Sequence, residues 1–172
     1  NLGKQDISKA VELLERNIDY DNKKAHLASL IALIDIYSKG QYVPVDSVKL
    51  VDYFYLASLQ GYVPSLYPVG MMQREGAKGA KIEITQDHTM AFENLFKAAN
   101  AGYIDAMLRI GEMYFKGEGT EQSDCNAYIW MAIAEELSNS ETKYSETILE
   151  LIPRKDREDV ILVKDAQRQN FS

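Results

Sequence analysis

The chain has 172 residues, 46% of them apolar, with 26 acidic against 19 basic side chains and a formal charge of −7. That length and composition exclude a disordered segment and suit one domain or one short solenoid, while the acidic balance argues against a nucleic-acid binder, which needs a concentrated basic surface. The longest apolar run, Leu27 to Ile34, is broken by Ser29 and ends at Asp35, far short of the roughly 20 residues that span a bilayer, so no membrane span is expected and the chain reads as soluble.

Ile7, Ala10, Val11, Leu13 and Leu14 recur at helical spacing, with Asp6 near the start as an N-cap candidate, and predict a lone leading helix. The polar stretch Asn17 to Lys24 reads as a loop. Ala25 to Lys39 is a nearly all-apolar helix stopped by Gly40, where glycine can take the left-handed conformation that ends a helix. A second helix is expected from Asp46 to Gln60, carrying Leu50, Tyr53, Ala57 and Ser58 ahead of Gly61.

A middle hairpin follows in a weaker pattern. Gly61 to Gly70 matches Gly102 to Gly111, which puts Ser65 at the position of Ala106, Gln73 at that of Tyr114 and Gly76 at that of Gly117. Pro64 fits a first helical turn, and Pro68 is expected to bend or shorten the helix. The partner helix runs from Asp87 to Asn100. The turn between the two is long, and its insertion, within Ala77 to His88, is expected to be an exposed loop.

The third hairpin has the fullest pattern: Ala106, Ile110, Gly111 and Tyr114, then Gly117 and Gly119, then Ala127, Trp130 and Ala134. Shifting the first hairpin by 77 positions lays Tyr37 on Tyr114, Gly40 on Gly117, Leu50 on Ala127, Tyr53 on Trp130 and Ala57 on Ala134. One such hairpin cannot bury its own apolar faces, so a stack of them is implied. Beyond it, Ser140 to Leu151 predicts a helix with Ser140 as cap and Tyr144, Ile148 and Leu151 on one face. After a break at Pro153, Arg154 to Gln169 carries a narrow stripe of Val160, Ile161, Val163 and Ala166, suited to a polar-faced cap. The organisation expected is one solenoid domain: a leading helix in 1–24, repeats at 25–62, 63–103 and 104–139, and a capping pair in 140–172.

Residues that could carry chemistry are sparse. His26 and His88 lack metal-ligand spacing, and Cys125, the only cysteine, is expected to be a half-buried structural thiol with no base placed to activate it. Gly70 to Lys78 lacks both the spacing and the preceding strand of a phosphate loop. Glu118, Glu121 and Asp124 read as a solvated turn rather than a calcium loop, with Asp124 capping the next helix. Glu135-Glu136 and Glu158-Asp159 are adjacent pairs that point to different helix faces. No catalytic residue, cofactor or metal is expected, and the chain is not expected to be an enzyme.

The pattern Ala-x-x-x-Ile-Gly-x-x-Tyr-x-x-Gly-x-Gly at Ala106 to Gly119, followed by Ala-x-x-Trp-x-x-x-Ala at Ala127 to Ala134, resembles the SEL-one-like repeat family, a relative of the tetratricopeptide repeats. The resemblance covers about residues 25–139; Ser29 and Ile34 depart from it in the first repeat and Gln73 in the second. The resemblance implies a right-handed α-solenoid whose concave face, formed by the first helix of each hairpin, holds a protein or peptide. Members of the family act as adaptors, as envelope assembly factors and, in some bacteria, as immunity proteins against toxins delivered by type VI secretion. The paired cysteines of the secreted relatives linked to β-lactam binding are absent here. The expected function is therefore a non-catalytic scaffold for a protein partner, basic or a secreted toxin. A bacterial immunity protein is the alternative, and a hydrolase or small-molecule binder a distant third. The chain opens on Asn1 rather than methionine, which leaves room for a removed leader. The compartment stays open, with an extracytoplasmic setting somewhat favoured.

Aligning the first helices at Ile34, Gly70 and Gly111 separates packing positions from outward ones. The outward set is Ile31, Asp35 and Lys39, then Tyr67, Met71, Arg74 and Glu75, then Asp105, Leu108, Glu112, Phe115 and Lys116. These are the candidate partner-binding residues, with Tyr67, Met71, Leu108 and Phe115 as apolar anchors. The competing expectations are packing against a neighbouring hairpin, and binding through the inserted loop or the convex side.

Overall fold

The computed structural model describes residues 2–40, 43–139 and 143–171. Among them the elements run α1 (Leu2–Glu15), β1 (Ile18–Asp19), β2 (Lys24–Ala25), α2 (Leu27–Lys39), α3 (Ser47–Ser58), α4 (Leu66–Glu75), β3 (Ala77–Lys78), β4 (Glu83–Ile84), α5 (His88–Asn100), α6 (Ile104–Lys116), α7 (Asp124–Ser138), α8 (Tyr144–Leu151) and α9 (Arg157–Arg168). The fold is an all-α solenoid of helix-turn-helix repeats, interrupted by two short ribbons. It divides into two compact units, Asn1–Gln86 and Asp87–Ser172, with the division falling between α4 and α5.

In the N-terminal unit, Leu30, Leu33 and Tyr37 of α2 meet Val51, Tyr53, Leu56 and Ala57 of α3, and Val11 of α1 joins the same core. Three- and four-residue steps, from Leu30 to Leu33 to Tyr37 and from Tyr53 to Leu56 and Ala57, put these side chains on one face of each helix. Gly40 ends α2 at φ 60°, and the Asp46 carboxylate starts α3 by accepting the N–H groups of Val48 at 3.1 Å and Lys49 at 3.0 Å. The leading helix is not capped by Asp6, which lies inside α1. The expected loop at Asn17 to Lys24 is a tight antiparallel ribbon with Ile18 opposite Ala25, so α2 starts at Leu27 rather than Ala25.

Pro64 sits in a 3-10 turn ahead of α4, and Pro68 is that helix's third residue. A first-turn N–H has no acceptor within the helix, so proline is tolerated there and α4 is simply short. The insertion after it keeps most of its side chains exposed, as expected, but it is an anchored ribbon rather than a free loop. It pairs Ala77 with Ile84 and Lys78 with Glu83, and it buries Ile82 and Ile84 in the N-terminal core. The fully buried Asp52 carboxylate accepts the backbone N–H groups of Lys81 and Ile82, each at 2.9 Å. A side chain at Gly79 would overlap Asp52 Oδ1.

In the C-terminal unit, Leu95 of α5, Met107, Ile110 and Met113 of α6 and Ile133 of α7 are fully buried. Gly111 allows α6 and α7 to cross closely: a Cβ there would lie 2.5 Å from Met131 Cγ and 3.2 Å from the Ala127 carbonyl oxygen. Asp87 caps α5 through Met90 N–H at 2.9 Å, and Gly117 ends α6 in the left-handed conformation. The cap of α7 is Ser123, whose side chain accepts the Asn126 N–H at 3.2 Å; Asp124 is already the first helical residue.

Ser140, the expected cap of α8, lies outside the described residues, and the helix begins at Tyr144. Its first turn is held from α7, because the buried Glu135 carboxylate accepts both the Ser145 N–H at 3.1 Å and its hydroxyl at 2.5 Å. Helix α9 starts at Arg157, after a 3-10 turn over Arg154–Asp156. Of its expected stripe only Val160 is buried, while Val163 is exposed and the buried Lys164 donates to Glu136 at 2.6 Å.

Candidate functional site

The side chains assigned to the outward helix faces stay out of the core, while their neighbours fill it. On α2, Asp35 and Lys39 are exposed and pair with each other at 2.7 Å. On α4, Tyr67, Met71 and Arg74 are half-buried and Glu75 is exposed, whereas Val69, Gly70 and Gln73 are buried. On α6, Asp105, Phe115 and Lys116 are exposed and Leu108 and Glu112 half-buried, against buried Ala106, Met107, Ile110, Gly111 and Met113.

Three of these residues are brought together in one groove. Leu108, Glu112 and Phe115 of α6 line it with Arg109, with Met131 of α7 and with Tyr144, Thr147 and Ile148 of α8, enclosing about 530 Å³. The Arg109 guanidinium donates to both Glu112 oxygens, at 2.8 and 3.0 Å, which leaves the rest of the lining largely apolar. Phe115 and Tyr144 remain 37% and 67% exposed, an arrangement that leaves two aromatic rings open to an incoming side chain. The wall from α8 is set by the Glu135 to Ser145 hydrogen bonds and by burial of Ile148.

Sequence reasoning named the α6 wall and missed the α8 wall. Tyr144 and Ile148 were placeable on one face of a capping helix, but nothing in a helix outside the repeat register says which neighbour that face meets. In the N-terminal unit, Glu75 lines an open depression beside the β3–β4 ribbon with Gly76, Ala77, Lys78 and Glu83 to Gln86.

A polar cluster in the N-terminal unit is structural. Glu15 accepts hydrogen bonds from Lys49 at 2.7 Å, Tyr53 at 2.7 Å and Tyr37 at 3.1 Å. Burial works to raise the Glu15 pKa, yet the bonds from Lys49, Tyr53 and Tyr37 and the Lys49 charge hold it below the usual carboxylate range. Burial works to lower Lys49, and its bonds to Glu15 and Tyr37 hold it above the usual lysine range. Both groups are charged at neutral pH and clasp α1 to α2 and α3. Among the described residues, no group of three or more His, Cys, Asp or Glu is placed to hold a metal ion, and no helix is long and apolar enough to cross a membrane.

The sequence model of the Sel1 repeat matches residues 2–16, 27–62, 64–103 and 104–139, so it covers the leading helix as well as the three hairpins. No curated protein matches. Among solved structures, one similar chain is a protective antigen present in uropathogenic Escherichia coli strains that displays an SLR fold, 25% identical, with a TM-score of 0.52 over 74% of this chain and 25% of its own. Another is a Sel1 repeat protein from Oxalobacter formigenes, 21% identical, with a TM-score of 0.51 over 78% of this chain and 54% of its own. This chain thus spans from a quarter to about half of the length of those proteins. The match along all three hairpins, together with the helix order and the glycine-ended first helices, makes this chain a member of the Sel1 repeat family.

Proposed function

We propose that this chain is a non-catalytic scaffold that binds a protein partner through the outward faces of its first helices. Sel1 repeats generally mediate protein–protein interaction, and stacked helical repeats offer extended binding surfaces. The observation that carries the reading is the behaviour of the outward residues: Leu108 and Phe115 line an apolar groove, and Tyr67 and Met71 stay outside the core of their own unit. Apolar and aromatic side chains held on packed helices lose little entropy on docking, so the scaffold contributes affinity by being preformed.

The test uses the purified chain as bait in a lysate of its source organism, with retained proteins identified by mass spectrometry. Parallel baits carry Tyr67→Ala with Met71→Ala, or Leu108→Ala with Phe115→Ala. A partner retained by the parent chain and lost from either double variant, with thermal melting intact, supports the reading. Equal retention by all baits would move the binding surface elsewhere. The partner's nature then sharpens the assignment: a single secreted effector makes the chain an immunity protein, and a component of a membrane complex makes it an adaptor.

A further inference from the structure

We infer that Phe171 is a displaceable plug: its ring occupies, within the same chain, a docking site for a phenylalanine-bearing segment of a partner protein. The site shares no residue with the outward faces of the first helices, so its failure would leave the scaffold reading untouched.

The seat lies wholly within the C-terminal unit. Trp130 of α7 is 4% exposed and meets two rings, Phe96 of α5 edge-on at 5.6 Å and Phe171 edge-on at 6.4 Å. The two rings are held very differently. Phe96 belongs to a 13-residue helix, whereas Phe171 comes from the three-residue 3-10 turn Gln169–Phe171 that follows α9. Gln169 and Asn170 are exposed and Phe171 is half-buried, so one ring is the apolar anchor of that turn. Short 3-10 turns have poor hydrogen-bond geometry, and a segment with few buried contacts opens at far lower cost than the whole fold.

The seat is also larger than its occupant. Beside Phe171 lies an open cavity of about 360 Å³, walled by Ala101 and Gly102 of the α5–α6 turn, Ile104 of α6 and Leu137 of α7. A Cβ at Gly102 would meet nothing within 4 Å, so that wall leaves room. Atoms that face a gap forgo packing partners, and the plug therefore gains less contact than the site offers. A segment from another protein that supplies the same ring and also fills the gap displaces it. The kind of side chain is given by Phe171 itself, which the seat already accepts against Trp130.

The test reads Trp130, the only tryptophan in the chain, in the full protein and in its Phe171→Ala variant. The variant should stay folded on melting, while its tryptophan emission moves to the red and quenching by acrylamide rises, as an uncovered indole requires. A synthetic peptide with the sequence of residues 164–172 should reverse both changes saturably. The same peptide should bind the parent chain measurably but at least about tenfold more weakly, because the seat is free only in molecules whose plug is open. A peptide with serine in place of its phenylalanine should have no effect, and Leu137→Ser added to the Phe171→Ala chain should weaken binding of the original peptide.

A Phe171→Ala chain that unfolds, or whose Trp130 stays as shielded as in the parent, overturns the inference. So does a peptide that fails to bind the variant, that never enters the parent, or that binds equally well without its phenylalanine. Self-association of the parent that the peptide abolishes would make the occupant a second copy, which overturns the assignment to a partner protein.

Discussion

Asp52 and Ile82 stand 30 residues apart, yet Oδ1 of Asp52 accepts the Ile82 backbone N–H at 2.9 Å while Oδ2 accepts that of Lys81. The carboxylate is fully buried, so it stands in for a strand partner and pins the inserted ribbon to α3. Asp52→Ala should leave two backbone donors unsatisfied and cost about 2–4 kcal/mol, each orphaned group costing about 1–3 kcal/mol. Urea unfolding measures the loss, and hydrogen exchange at Lys81 and Ile82 should accelerate together. A variant as stable as the parent would show that the ribbon holds itself.

Glu15 makes stability depend on acidity. Its folded pKa lies below its ordinary value of 4.5, because the hydrogen bonds and charge of its partners outweigh burial. A lowered carboxyl pKa stabilises the fold above the unfolded value, and that stability is lost as pH falls through the folded value. Glu15→Gln should therefore cost about 1–3 kcal/mol at pH 7, by leaving Lys49 without its carboxylate. The difference between the two proteins should shrink in unfolding titrations run progressively below pH 4.5.

Gly111 sets the approach of α6 to α7. With Met131 Cγ 2.5 Å from the position of a Cβ, Gly111→Ala forces a side-chain or helix shift, and overpacking of this kind costs about 1–3 kcal/mol. Met131→Ala in the same chain should recover part of the loss, since the two sites touch and their effects are not additive. A double-mutant cycle by denaturant unfolding gives the coupling. Strict additivity would mean that the strain is relieved elsewhere.

Trp130 is 4% exposed, with its ring edge-on to Phe96 at 5.6 Å and to Phe171 at 6.4 Å. Trp130→Ala should open a cavity and cost about 3–5 kcal/mol. Phe171→Ala should cost less, because it removes one face of the contact and leaves the core behind it filled. Equal melting temperatures for Trp130→Ala and the parent chain would be incompatible with this packing.

Much of the repeat architecture was legible because it is written in short-range spacing. Tyr53 and Trp130, 77 residues apart in the repeat register, are both buried, and Gly40 and Gly117 both end their helices in the left-handed conformation. Helix periodicity and chain reversal depend on residues within one or two turns of each other, so a single sequence reports them. The same spacing separated outward residues such as Leu108 and Phe115 from inward ones such as Ala106 and Ile110.

What depended on distant contacts was not legible. The insertion became a ribbon because Ile82 and Ile84 could be buried against a core that already held Asp52, an acceptor from another helix. The second wall of the groove exists because Glu135 fixes the first turn of α8 beside α6 and α7, and the clasp on α1 exists because Glu15 meets Lys49 across 34 residues. Spacing along the chain determined which face of each helix turns inward; only the tertiary structure decided what that face meets, since burial and charge pairing are settled by neighbours in space rather than in sequence.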